Sequence, residues 1–165
     1  MKRLMIALGV VTLATAATSC GSKTPTAPSN TVVFTVNLLP SNETPSPITD
    51  SESTARGTAV ITIHKDTNAI DMNVSVTAFP AGSVLNNAHI HGPSAPTGVS
   101  GGVFVPSGIA AASFPALVNG AATFSTTVTT ATADQVSQIL ANPSQFYFNV
   151  HSAQHPGGVI RGQLQ

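Results

Sequence analysis

The stretch AIDMNVSVTA, Ala69 to Ala78, alternates without interruption. Ile70, Met72, Val74, Val76 and Ala78 are apolar, and Asp71, Asn73, Ser75 and Thr77 are polar. Successive side chains of a strand point to opposite faces, so a period of two commits the segment to a strand with one buried and one wet face. RGTAVITIH, Arg56 to His64, precedes it, and only the turn-forming KDTN lies near the junction. The pair reads as a hairpin.

The rest of the chain repeats this vocabulary. VVFTVNLL (Val32 to Leu39) is a strand ended by Pro40, and PSNETPSPITDSES after it reads as loop. NNAHIHG is a short strand between FPAGSV and GPSAPTG, and the glycine-rich GVSGGVFVPSG reads as a flexible surface loop with a short strand at Val103 to Val105. AATFSTTVT (Ala121 to Thr129) alternates again. QFYFNVH and GGVIRGQL are strands around the turn SAQHP, with Tyr147, Asn149 and His151 expected on a polar face. One helix is predicted, in TADQVSQILANP. Thr132 and Gln135 fit a capping box, Val136, Ile139 and Leu140 form a stripe, and Asn142-Pro143 stops it. About seven or eight short strands with one helix predict an all-β sandwich or barrel with Greek-key connections.

The N-terminus follows different rules. Lys2 and Arg3 precede the apolar run LMIALGVVTLATAAT, which has the form of a secretory signal peptide over residues 1–19. Cys20 is the single cysteine and directly follows this run, as in a bacterial lipobox. Ala17 stands where a large aliphatic residue is usual, and ordinary cleavage near Ala17 is the alternative. An unpaired thiol is a liability in an oxidising compartment, which favours lipidation of Cys20 and a membrane partner reached through that anchor. Gly21 is not the aspartate of an inner-membrane retention signal, so the expected address is the outer membrane of the cell envelope. Residues 20–31, rich in Pro, Ser and Thr, read as a tether, and residues 32–165 as one domain.

Charge is sparse, at 7% of residues. From Cys20 onward Lys23, Arg56, Lys65 and Arg161 face Glu43, Asp50, Glu52, Asp66, Asp71 and Asp134, a balance near minus two. No basic patch exists to hold nucleic acid. The acidic residues lie scattered in segments read as loops, turns and wet strand faces, with no paired carboxylates. There is no G-x-S-x-G elbow and no phosphate-cradling loop between a strand and a helix.

Four of the five histidines fall in AHIHGP and NVHSAQHPGG. His89 and His91 share a strand face, and His151 ends a strand on its polar side. If the strands are neighbours, three imidazoles converge, with His155 as a fourth candidate, and imidazole suits copper or zinc. The structural alternative is that each ring fills space and hydrogen-bonds backbone, which neutral imidazole does with one donor and one acceptor. His155 also sits where a tight turn is expected, and His64, beside Lys65, reads as an exposed turn residue.

The combination of AHIHGP, a glycine-rich segment, a short helix and FYFNVHSAQHPGGVIRGQL resembles the CHRD (chordin-type) domain in a bacterial secreted lipoprotein form. That resemblance implies an immunoglobulin-like, superoxide-dismutase-like β fold. It implies no transferable catalytic activity. His89 and His91 resemble the H-x-H copper pair of copper/zinc superoxide dismutases, His151 falls where another copper histidine would lie, and Arg161 invites comparison with the guanidinium that attracts superoxide. The zinc loop and the disulfide cysteines of those enzymes have no counterpart, which argues against dismutase activity. Two functional readings follow. One is a non-enzymatic envelope module that binds a protein, matrix component or other ligand. The other is a copper- or zinc-binding envelope protein for metal storage or oxidant protection.

Overall fold

The computed structural model describes residues 29–165. Cys20, the signal segment and most of the expected tether lie outside the described residues. Among the described residues, eight strands form two four-stranded antiparallel sheets. The first contains β1 (Thr31–Leu38), β2 (Arg56–His64), β3 (Ile70–Thr77) and β6 (Ala122–Val128), in that order. The second runs β5 (Val103–Pro106), β4 (Leu85–His91), β7 (Tyr147–Ser152), β8 (Ile160–Gln163). The sheets stay separate, so the fold is a sandwich and not a closed barrel.

The β2–β3 hairpin pairs as its alternation dictates, with Ile63 opposite Ile70 and Ile61 opposite Met72. Asn68 takes a left-handed conformation (φ 58°) in the turn, which asparagine tolerates. The alternation ends one residue earlier than expected. Ala78 is exposed, not buried, because its backbone turns left-handed (φ 58°), and that turn directs Phe79 into the core instead. The core fills the space between the sheets, with Val36, Leu38, Ile61 and Met72 from one side and Ile90, Phe148, Val150 and Ile160 from the other. Beside it, β8 closes against β1 through the Leu39–Arg161 bridge. A Cβ at Gly162 would overlap the backbone oxygen of Asn37, so this close approach requires glycine.

Helix α1 (Ala133–Ala141) carries the expected capping box: Thr132 Oγ1 accepts from the Gln135 amide at 3.2 Å, and Gln135 Oε1 accepts from the Thr132 amide at 2.9 Å. Its apolar stripe buries Val136 and Ile139. Replacing Thr132 with alanine orphans the Gln135 amide and should cost about 1 kcal/mol. Urea unfolding should show this as a lower midpoint with an unchanged slope.

One departure from the sequence reading creates the site. All six residues of β7 are buried, including Tyr147, Asn149 and His151, the polar face that alternation by itself leaves open to solvent. The outer face of the second sheet is covered by the chain itself. Asn42 Nδ2 donates to the Arg161 carbonyl at 3.1 Å, and Arg161 donates to Thr44 Oγ1 at 2.9 Å and to Val99 O at 3.0 Å. The segment PSNETPSPITDSES is therefore an ordered cover, with short 3-10 turns at Pro40–Asn42 and Ser51–Thr54. Two of its acidic residues, Glu43 and Glu52, stand in this connecting segment as expected, but they are buried.

Candidate metal centre

Strands β4 and β7 are neighbours, and their register sets Asn87 opposite His151, His89 opposite Asn149, and His91 opposite Tyr147. The three histidines therefore meet on the covered outer face. The His89 and His91 rings lie 4.4 Å apart, centroid to centroid, as do those of His89 and His151, while His91 and His151 are 5.9 Å apart. Each contributes one ring nitrogen to a group whose members lie within 4.8 Å of one another.

The hydrogen bonds fix which nitrogen that is. His91 Nδ1 lies 2.8 Å from Gly101 O, and His151 Nδ1 lies 3.0 Å from Pro156 O. Both partners are carbonyls and can only accept, so each Nδ1 carries the hydrogen. His89 Nδ1 lies 3.2 Å from Asn87 Oδ1. The Ala88 amide donates to the same oxygen at 2.9 Å, which identifies it as the amide oxygen, so His89 Nδ1 also donates. In neutral imidazole the second nitrogen is then a bare acceptor. The three Nε2 atoms are buried and have no protein partner.

Electrostatics keeps them neutral. Burial, reinforced by neighbouring His151 and His91, pushes the His89 pKa down to about 3. Burial also lowers His91, against the opposing Gly101 carbonyl, and lowers His151, against the opposing Pro156 carbonyl.

Tyr147 stacks on His91, with ring centroids 4.6 Å apart and planes within 6°. The Arg161 guanidinium sits 3.5 Å over the same tyrosine ring and donates to Thr44 Oγ1 at 2.9 Å. Arg161 is 2% exposed, so it is not a solvent-facing lure for anions. Its acidic neighbour, which no sequence proximity reveals, is Glu43. Burial raises the Glu43 pKa to about 7, opposed by Arg161, by Asn149 and by the Thr44 backbone.

A model of the CHRD domain family matches residues 34–164. The chain belongs to that family. No curated protein and no solved structure matches it. Within this CHRD domain, the two most distinctive segments of the sequence, AHIHGP and NVHSAQHPGG, supply all three clustered histidines. The remaining two histidines stand elsewhere. His155 Nε2 faces Asp50 Oδ2 at 2.9 Å and Glu52 Oε2 at 3.9 Å, so it pins the turn and does not join the cluster. His64 is half-buried and pairs with Asp71 Oδ2 at 2.8 Å across the hairpin, where an exposed turn residue was expected.

Sequence reasoning missed the supports. Gly101, read as part of a flexible loop, supplies the carbonyl that orients His91, and Ala95 leaves no room for a Cβ there. Tyr147 and Asn149 lie inside a motif-bearing segment, but nothing in it, or around Asn87 and Glu43, marks them as supports of the histidines. A polar side chain on alternate positions of a strand looks solvated unless a distant segment is known to cover it.

Proposed function

We propose that this CHRD domain is a non-enzymatic binding module whose ligand is a single copper or zinc ion, held by Nε2 of His89, His91 and His151. The observation that carries the reading is the convergence of three buried, unpartnered lone pairs. An unpaired buried acceptor costs on the order of 1–3 kcal/mol. Structural histidines are expected to satisfy both ring nitrogens, and these three satisfy only one each. A water has two hydrogens and leaves the third acceptor unpaired. One cation engages all three. A metal–nitrogen bond is about 2.0–2.1 Å, so closing the cluster onto an ion takes a small inward movement of the rings. The carbonyl partners of the three Nδ1 atoms hold the rings in the ligating tautomer, the usual role of groups behind metal-bound histidine.

The cell-envelope setting remains our reading of the sequence. The apolar leader and Cys20 support lipid attachment, and the Pro-, Ser- and Thr-rich stretch supports a tether that holds the domain away from a membrane. A module so placed would store the ion or sequester it before it reacts with oxidants.

Equilibrium dialysis against copper or zinc, followed by elemental analysis, tests the site. One ion per chain is expected for the wild type and none for His89→Ala/His151→Ala. Equal loading of wild type and variant would remove the reading.

A further inference from the structure

The structure carries a charge inventory around the three histidines that goes beyond the presence of an ion. On the basis of the three-histidine site, we propose that it selects monovalent copper over zinc.

The ligands are three neutral imidazoles. In many metal sites a carboxylate behind the histidine adds negative charge and ligand basicity. Here every Nδ1 partner is a neutral oxygen: Asn87 Oδ1, Gly101 O and Pro156 O. Among the described residues no carboxylate joins the ligand group. The fixed charge that the ring stack holds near His91 is of the wrong sign. Strand order β4-β7-β8 sets Tyr147 between His91 and Arg161, and the stack places the guanidinium no more than about 8 Å from the His91 ring centroid. Arginine stays protonated at any physiological pH. Glu43 faces that guanidinium, but burial keeps much of it protonated near neutrality, so it offsets the positive charge only in part. The other buried carboxylate, Glu52, is directed at Ser152 and His155 and contributes no ligand atom to the cluster.

The desolvation cost of an ion rises with the square of its charge, and its repulsion by Arg161 rises in proportion to it. A divalent ion bound by neutral ligands remains uncompensated on both counts. At an effective dielectric of about 20, one additional unit charge roughly 8–10 Å from a guanidinium weakens binding about ten- to thirty-fold. Coordination number points the same way. Zinc wants a fourth ligand, whereas monovalent copper is satisfied by three. The Nε2 atoms are closed off from solvent, which disfavours the additional water.

Anaerobic competition of the purified protein with bicinchoninate for copper(I), and with zincon for zinc, gives the two affinities. Copper(I) is expected to bind at least about tenfold tighter than zinc. A second variant tests whether charge is the cause. Asn87 is exposed, and Asn87→Asp keeps an oxygen for His89 while adding a negative charge. It should strengthen zinc binding about 3- to 10-fold more than copper(I) binding. Zinc binding as tight as copper(I) in the wild type, or an unchanged ratio in Asn87→Asp, overturns the proposal while leaving the three-histidine site intact. Failure to bind either ion overturns the proposal and the site together.

Discussion

Copper or zinc in excess raises the melting temperature of the metal-free wild type by about 10 °C and leaves His89→Ala, His91→Ala and His151→Ala unmoved. The magnitude follows from linkage. A ligand at 100 times its Kd stabilises the state that binds it by about 2.7 kcal/mol, and a domain of this size gains roughly 3–4 °C per kcal/mol. The acid side of the same experiment separates this site from an exposed histidine cluster. Solvated imidazoles lose a metal as pH falls through about 6.5. Here burial holds all three below their ordinary value, so His89, at about 3, keeps its lone pair free at pH 6, and His91 and His151 are harder to protonate than solvated rings. The metal-induced shift should therefore persist at pH 6.

Without metal, the same depression has a cost. The unfolded chain takes up protons on these histidines below about 6.5, whereas burial in the folded chain opposes protonation of all three and lets His89 protonate only near 3. More protons on the unfolded state means that stability, fully present above pH 6.5, is lost as pH falls towards the folded values. Glu43, raised to about 7, acts with the opposite sign, favouring the folded state as pH falls from 7 towards 4.5. Three histidines against one glutamate leave metal-free protein acid-labile. A melting temperature of the metal-free wild type that is higher at pH 5 than at pH 7.5 would contradict the burial of the cluster.

Much of this arrangement was legible in the chain and some was not, for physical reasons. The hairpin and the capped helix are local: strand period, turn residues and a four-residue cap are written in consecutive positions, and the structure reproduces them. The H-x-H spacing fixed a shared face for His89 and His91, and the pairing of β4 with β7 supplies His151 across it. The family resemblance and the sandwich were readable because they rest on such local patterns and on the motif-bearing ends. Burial of the outer face was not readable. Alternation in FYFNVH says only that Tyr147, Asn149 and His151 share a side; it cannot say that a cover about a hundred residues earlier in the chain, around Glu43 and Thr44, lies on that side. His155 illustrates the same limit. It is four residues from His151, but the intervening turn aims it at Asp50.

The cover makes a second large prediction, centred on Arg161. Replacing it with methionine keeps much of the apolar stem but removes the guanidinium. The Val99 carbonyl and Thr44 hydroxyl each lose a donor, at 3.0 and 2.9 Å, the Tyr147 ring loses its cation, and Glu43 loses the charge that opposes its desolvation. Arg161 and Glu43 are not in ion-pair contact, so their coupling is weaker than a buried salt bridge, and the lost hydrogen bonds together with the uncompensated carboxylate should cost about 2–3 kcal/mol. Arg161→Met should therefore destabilise the domain by about that amount at pH 8, where Glu43 is ionised in the wild type. At pH 5, where the folded protein already holds Glu43 protonated, no carboxylate charge remains to be stranded, and the loss should shrink to about 1–2 kcal/mol for the lost hydrogen bonds. Glu43→Gln tests the other half. Its amide needs no countercharge, so Arg161→Met/Glu43→Gln should be more stable at pH 8 than Arg161→Met alone, a coupling of the kind a double-mutant cycle isolates. Urea unfolding of the four proteins at the two pH values measures every quantity in the cycle. A cost of Arg161→Met that does not change with pH, or no recovery in the double variant, would mean that Arg161 acts by packing on Tyr147 alone and that Glu43 does not sense its charge.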